Sequence, residues 1–343
     1  MKFKVVNTFP MSGVDFGEDL LKPFGTRLIT IMSRTEEEII ENGKDADAVI
    51  GSASLQPLSR RVLGALSRCR IFASHGIGLD QADLEAATDY GIVITNTPDS
   101  SLDEVSGRVL AFMLALGHRL FQLHRGVREN QFHYLLDHSA RMSTAYPIFR
   151  MRDQTLGIVG FGRIGTAAAI KANGLGMRVI AYDPYVPQGV IESRGAKSVD
   201  FETLLKESDF ISVNTVLTEE THNMFSFEDY KKMKPTCYLI NTARGGCINQ
   251  DALIQALKEK LIAGAGIDVT VDEPIAKNNP LLEMDNVILT GHSAGYSTFA
   301  ESDLFRKPMT QVVKVFSGEW PPYAVNPEVR KKWLDKWGNT RKQ

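Results

Sequence analysis

Charge imbalance is the first thing this sequence lacks. Its 39 Lys and Arg residues stand against 41 Asp and Glu, a formal net charge of −2 over 343 residues. No basic excess serves a nucleic acid or an anionic membrane, so neither is expected as a direct partner. Long apolar runs are missing too. The longest strongly apolar stretch, Val109–Leu116, is far too short to cross a bilayer. The opening MKFKVVNTFP has neither an apolar leader core nor a small-residue cleavage site, so a cytoplasmic location is expected. Cysteine is scarce: Cys69, Cys237 and Cys247 form no C-x-x-C pair and predict buried thiols, not a disulfide framework. His133 and His138 match no common ligand spacing, so no metal is expected.

What is present is ordinary globular material, 43% hydrophobic and 23% charged. The length suggests about two domains. Up to about residue 100, short apolar runs alternate with helical stretches. Strands are expected at Phe3–Val6, Leu28–Ile31, Ala48–Ile50, Arg70–Ala73 and Ile92–Thr95. Helices are expected at Gly17–Pro23, Thr35–Asn42, Ser59–Ser67 and Gln81–Tyr90. That alternation implies a parallel sheet covered on both faces. Thr97–Ser101 breaks it. Asp103–Arg125 then reads as one long helix, and Gly126–Asp153 as polar and irregular.

From Thr155 the alternation resumes, with six strands expected at Leu156–Val159, Val179–Tyr182, Phe210–Asn214, Tyr238–Ile240, Gly264–Ile267 and Val287–Leu289. Helices are expected at Ile164–Gly174, Phe201–Glu207, Ser226–Lys232 and Asn249–Lys258. Phe299–Phe316 reads as a helix returning to the first unit. The expected division is residues 1–102 plus 297–343 as a discontinuous substrate domain, and residues 103–296 as a nucleotide-binding domain. The tail Lys331–Gln343 carries Trp333 and Trp337 on one helix face, as for docking on a domain or a partner subunit, with a frayed end as the alternative reading.

The chain is organised around Thr155–Asp183. The first strand runs into Gly160, Gly162 and Gly165 in G-x-G-x-x-G spacing, followed by an Ala-rich helix and a second strand ending on Asp183. Gly160 permits a tight turn, Gly162 lets the backbone approach a pyrophosphate, and Gly165 lets helix and strand pack closely. The helix N-terminus offers free N–H groups and the positive dipole end. Asp183 lies 18 residues after Gly165 at a strand end, placed to accept from both ribose hydroxyls. Its charge opposes a 2′-phosphate, which favours NAD over NADP.

Three segments at later strand ends carry the chemistry: Asn241–Gly246 with Arg244, Gly266–Pro274 with Glu273, and Thr290–Gly295 with His292. Arg has a planar fork that binds a carboxylate and polarises the adjacent carbonyl. His can protonate the alkoxide that forms as hydride arrives. Glu beside the imidazole fixes its tautomer and favours its protonated form. Singly, each has a structural reading: an Arg pairing a buried acid, a Glu in a turn, a His bonding backbone. Together, at three strand ends after a nicotinamide-cofactor motif, they suit interconversion of a 2-oxo and a 2-hydroxy acid. In the first domain, Ser74–Asp80 follows the fourth strand, and its glycines suit either a small-carboxylate site or a plain tight turn.

These residues resemble the D-isomer-specific 2-hydroxyacid dehydrogenases over nearly the whole chain, from about Ala48 to Asn326. The signatures are GFGRIG (160–165), INTARGG (240–246), GIDV…DEP (266–274) and GHSAG (291–295). The resemblance implies two doubly wound parallel-sheet domains of α/β class, Rossmann and flavodoxin-like, with an interdomain cleft and a homodimer. It implies Arg244, Glu273 and His292 as catalytic, and Gly76, Ile77 and Gly78 as amide ligands of the substrate carboxylate. Cofactor contacts are implied at Arg163, Ile164, Asp183, Thr215, Thr242, Ala243, Arg244, Asp268 and His292.

Within the family, YDPYVPQGV (182–190) and HSAGYS (292–297) look most like the branch with the C-terminal-binding-protein corepressors. That branch has Arg where Ser74 stands and Trp where Gly295 stands, so its substrate preference does not carry over. The family's His-x-Pro reads Asn214-Thr215-Val216 here. Formate dehydrogenases, which are similar, place Gln where Glu273 stands. The expected function is NAD-dependent reduction of a 2-oxo acid to the (R)-2-hydroxy acid. The rival is a dimeric NAD(H)-sensing interaction protein. A phosphorylated substrate would need basic residues at the cleft mouth; Arg60, Arg61 and Arg68 are near in sequence, and the sequence does not place them there.

Overall fold

The computed structural model describes residues 3–338 apart from 130–132, 134–135, 137, 140–141 and 143–146. Much of the irregular stretch after Gly126 and residues 339–343 of the charged tail therefore lie outside the described residues. The chain divides into two compact units, Met1–Ser101 with Tyr296–Gln343, and Leu102–Gly295.

The first unit holds a five-stranded parallel sheet of β1 (Val5–Asn7), β2 (Leu28–Thr30), β3 (Ala48–Gly51), β4 (Ile71–Ser74) and β5 (Val93–Thr95), in the order β2-β1-β3-β4-β5. Side chains alternate across it. Val6, Val49, Phe72 and Ile94 face one apolar layer. Val5, Ile50, Ile71 and Val93 face the other, where Met309, Val312 and Val315 of helix Thr298–Phe316 pack. Helix starts carry side-chain caps: Thr35 forms a capping box with Glu38, and Asp83 and Ser297 accept from Ala86 and Ala300. The expected helix at Gly17–Pro23 is a 3₁₀ helix, Glu18–Phe24, bounded by left-handed Gly17 and Gly25. Helix Arg330–Trp337 docks on its own unit: Trp333 is fully buried, and its Nε1 donates to the Arg70 carbonyl at 2.9 Å.

The second unit holds a seven-stranded parallel sheet. Its strands are β6 (Thr155–Val159), β7 (Arg178–Tyr182), β8 (Lys197–Ser198), β9 (Phe210–Val213), β10 (Tyr238–Asn241), β11 (Gly264–Ile267) and β12 (Val287–Leu289). The order is β12-β11-β10-β9-β6-β7-β8, so the winding reverses between β6 and β9. In such sheets ligands bind outside the carboxyl ends at that reversal. Two departures from expectation appear. The edge strand β8 makes seven strands where the apolar runs predict six. The long helix splits into Leu102–Gly117 and Leu120–Arg128, broken at Arg119, whose φ is 51°. A left-handed residue cannot continue a right-handed helix.

Candidate active site

The turn after β6 meets each steric demand of a dinucleotide site. Gly160 has φ 88°, and a Cβ there would lie 2.8 Å from Thr215 N, across the winding reversal. A Cβ on Gly165 would lie 2.3 Å from the Gly160 carbonyl oxygen, so only glycine lets the helix approach the strand. A Cβ on Gly162 would meet nothing within 4 Å, the open approach a pyrophosphate needs. Helix Arg163–Gly174 starts there without a side-chain cap, leaving the first-turn N–H groups of Arg163, Ile164 and Gly165 for an anion.

Asp183 ends β7 in a fixed orientation. One oxygen accepts from Phe161 N at 2.8 Å, the other from Tyr185 N at 2.9 Å and Val186 N at 3.2 Å. Along the same sheet edge, the Asn214 Oδ1 and Thr242 Oγ1 atoms are buried and have no hydrogen-bond partner among the described residues. Buried polar atoms of this kind call for a partner, and both lie where a dinucleotide would run. The chain thus fits NAD by turn geometry, by an uncapped helix and by unspent polar atoms.

The three chemistry-bearing loops leave β10, β11 and β12, which are neighbours in the sheet. His292 Nδ1 and Glu273 Oε2 are 2.7 Å apart. The other Glu273 oxygen accepts from Thr270 N at 3.2 Å. His292 has φ 57°, a left-handed backbone that a side chain rarely adopts. Asp268 holds this loop in place: its carboxylate accepts from Thr290 Oγ1, from Ser293 N at 2.9 Å and from Ala294 N at 3.0 Å. The His292 N–H also donates to the Asp268 carbonyl. Sequence reasoning missed this positioning work; its only sequence sign is an acid buried at a strand end. Arg244 is partly buried and donates from Nη1 to the Ala243 carbonyl at 2.7 Å. Its neighbour Gly245 packs against the β11 loop, where a Cβ would lie 2.1 Å from the Thr270 carbonyl. The Arg244 loop and the Glu273 loop are therefore in contact, and Glu273 and His292 are paired.

In the first unit the Gly76–Gly78 turn is held by its carbonyls. Thr97 N donates to Gly76 O at 2.9 Å, and Asn96 Nδ2 donates to Ile77 O at 2.9 Å. The N–H groups of Gly76, Ile77 and Gly78 have no acceptor among the described residues, so they are available to an anion. His75, just before the turn, is buried against the rings of Phe16 and Phe305, with centroids 5.6 and 5.1 Å away. Burial pushes its pKa down to about 4. Arg60 pairs with Asp89 at 2.7 Å, Arg61 with Glu36 and Glu37 at 2.9 and 2.6 Å, and Arg68 with Asp47 at 3.3 Å. Cys69, Cys237 and Cys247 are buried and form no disulfide with one another, and burial pushes Cys69 up to about 12.

The family model for the NAD-binding domain of D-isomer specific 2-hydroxyacid dehydrogenases matches residues 110–294. Glyoxylate reductase of Korarchaeum cryptofilum is 38% identical over 297 residues, 87% of this chain and 88% of the relative. Glyoxylate reductase of Thermococcus litoralis is 36% identical over 291 residues, 85% and 87% of the two chains. The crystal structure of D-lactate dehydrogenase with NAD+ from Lactobacillus jensenii is similar at a TM-score of 0.75 and 25% identity, covering 94% of this chain and 99% of that one. With a turn built for the dinucleotide and these relatives along almost the full length, the chain belongs to the D-isomer specific 2-hydroxyacid dehydrogenase family and is an NAD-dependent oxidoreductase of 2-oxo and D-2-hydroxy acids.

Proposed function

We propose that His292 is the general acid and base in the reduction of a 2-oxo acid to the (R)-2-hydroxy acid, and in its reverse. The carrying observation is the 2.7 Å contact of His292 Nδ1 with a Glu273 carboxylate whose other oxygen is already held. Glu273 accepts a hydrogen bond from Nδ1–H and fixes the ring, which leaves Nε2 for the substrate oxygen. NADH, when bound, supplies the hydride for the carbonyl carbon. Arg244 binds the substrate carboxylate and polarises the neighbouring carbonyl. His292 Nε2 gives a proton to the oxygen as negative charge forms there, and takes it back in the oxidative direction. In the first unit, the amides of Gly76, Ile77 and Gly78, which have no acceptor among the described residues, offer a place for a carboxylate.

For the cofactor, Asp183 takes the adenosine ribose, and the amides of Gly162, Arg163, Ile164 and Gly165 take the pyrophosphate. Thr215, Thr242, Ala243 and Asp268 complete its contacts. The buried reduced cysteines fit a cytoplasmic location. A homodimer is supported by Leu120, Phe121 and Val127, all more than half exposed on helix Leu120–Arg128.

The test is NADH oxidation against glyoxylate, pyruvate, hydroxypyruvate, 3-phosphohydroxypyruvate and aromatic 2-oxo acids, with His292→Ala beside the wild type. General acid catalysis is worth about 10²–10⁴-fold, so the variant should lose that much turnover while still binding NADH. Near-normal turnover in His292→Ala would remove this residue from the mechanism.

A further inference from the structure

The strand between β9 and β7 is β6, whose carboxyl end carries the dinucleotide turn. Tyr185 stands on the loop after β7, and Glu220 on the loop after β9. The Tyr185 hydroxyl donates to the Glu220 carboxylate. Strands two apart in a sheet are separated by about 10 Å, so this contact spans the mouth of β6 from one flank to the other.

Neither residue is held there by the core. Tyr185 is 75% exposed and Glu220 is exposed as well. An exposed hydrogen bond contributes little to stability, so the location is the informative feature. Two residues before Tyr185 stands Asp183, the ribose ligand. The hydrogen bond and charge of Glu220 come first in holding the Tyr185 phenol above its ordinary range; desolvation, Tyr182 and Asp183 add smaller shares in that order. The Glu220 loop is also tied to the turn, since Asn214 and Thr215 back onto Gly160.

We propose that Tyr185 and Glu220 form a strap across the adenosine end of the cofactor site, which retains NAD(H) and sets a second carboxylate beside Asp183 against the 2′-phosphate of NADP(H). The strap and the charge are separable. Tyr185→Phe removes the hydrogen bond and keeps the ring and both acids. Glu220→Gln keeps an acceptor for the tyrosine hydroxyl and removes only the charge. The inference rests on the cofactor site at Gly160–Gly165 and Asp183.

The experiment measures NADH and NADPH binding by nucleotide fluorescence, and NADH release by stopped-flow displacement with excess NAD+, on the full-length protein. Tyr185→Phe should release NADH about three-fold faster, the size of an exposed charge-assisted contact. Glu220→Gln should lower the ratio of NADPH to NADH dissociation constants about five-fold at low salt, with the effect shrinking as salt rises. Wild-type release from Tyr185→Phe overturns the strap, and a wild-type ratio in Glu220→Gln overturns the second carboxylate. Wild-type protein that binds neither nucleotide refutes the cofactor site itself, a separate outcome.

Discussion

His292 and His75 show how differently one residue type is used in this chain. His292 is half-exposed, left-handed at φ 57° and paired with Glu273. His75 is buried, and among the described residues neither ring nitrogen has a hydrogen-bond partner that satisfies ordinary geometry. Its folded form is therefore the neutral ring, with a pKa near 4 against 6.5 for the free side chain. The unfolded chain binds the extra proton first, so this residue's contribution is full above pH 6.5 and is lost as pH falls toward 4. The loss amounts to about 3.5 kcal/mol at most, since each unit of pKa difference is worth about 1.4 kcal/mol. Urea unfolding of His75→Leu and wild type at pH 7 and pH 4.5 checks this: the gap between them should narrow or reverse in the variant's favour at the lower pH. A gap independent of pH would mean the ring is not buried neutral. In the sequence His75 is only a residue beside a glycine turn. Its burial comes from Phe16 and Phe305, the latter 230 positions away.

Elements were legible where the apolar pattern was strong. The buried strands β3, β4, β6, β9, β10 and β11 lie within a residue or two of their apolar runs, because a parallel strand covered on both faces must be apolar almost throughout. The edge strand β8 was not legible, since Lys197–Ser198 is a two-residue polar piece whose pairing with β7 is decided by the chain around it. Helix Gln188–Ser193 was missed for the same lack of a periodic face, and at the break before Arg119 the one sequence sign is Gly117, which ends the first helix inside an otherwise continuous apolar pattern. The terminal helix Arg330–Trp337 illustrates docking beyond pattern. Trp333 packs edge-on against Trp320 at 5.8 Å and donates to Arg70 O. Truncating a fully buried aromatic costs about 3–5 kcal/mol. Trp333→Ala should therefore lower the unfolding free energy by that order, with the Glu273–His292 chemistry unaffected in whatever fraction stays folded. A loss under 1 kcal/mol by urea titration would show that the helix is dispensable.

For the whole molecule, the proposed dimer has a direct check. Phe121 is 55% exposed on helix Leu120–Arg128, beside Leu120 at 52%. Phe121→Asp would place a charge in a desolvated contact, which destabilises association by several kcal/mol. Light scattering should give twice the 38.0 kDa chain mass for wild type and a shift to the single-chain mass for the variant. A wild type at the single-chain mass, or a variant that stays at twice it, would sink the homodimer. The α/β class, the dinucleotide turn, the acid at Asp183 and the three loops that carry Arg244, Glu273 and His292 are all readable along the chain, because local sterics and a two-residue strand period act within a few positions of each residue. Tertiary structure alone decided the rest: that Asp268 holds the His292 loop, that Arg60, Arg61 and Arg68 are matched to acids, and that Tyr185 meets Glu220 across β6. These are pairings between residues distant in the chain, and strand order, not spacing along the sequence, sets which of them meet.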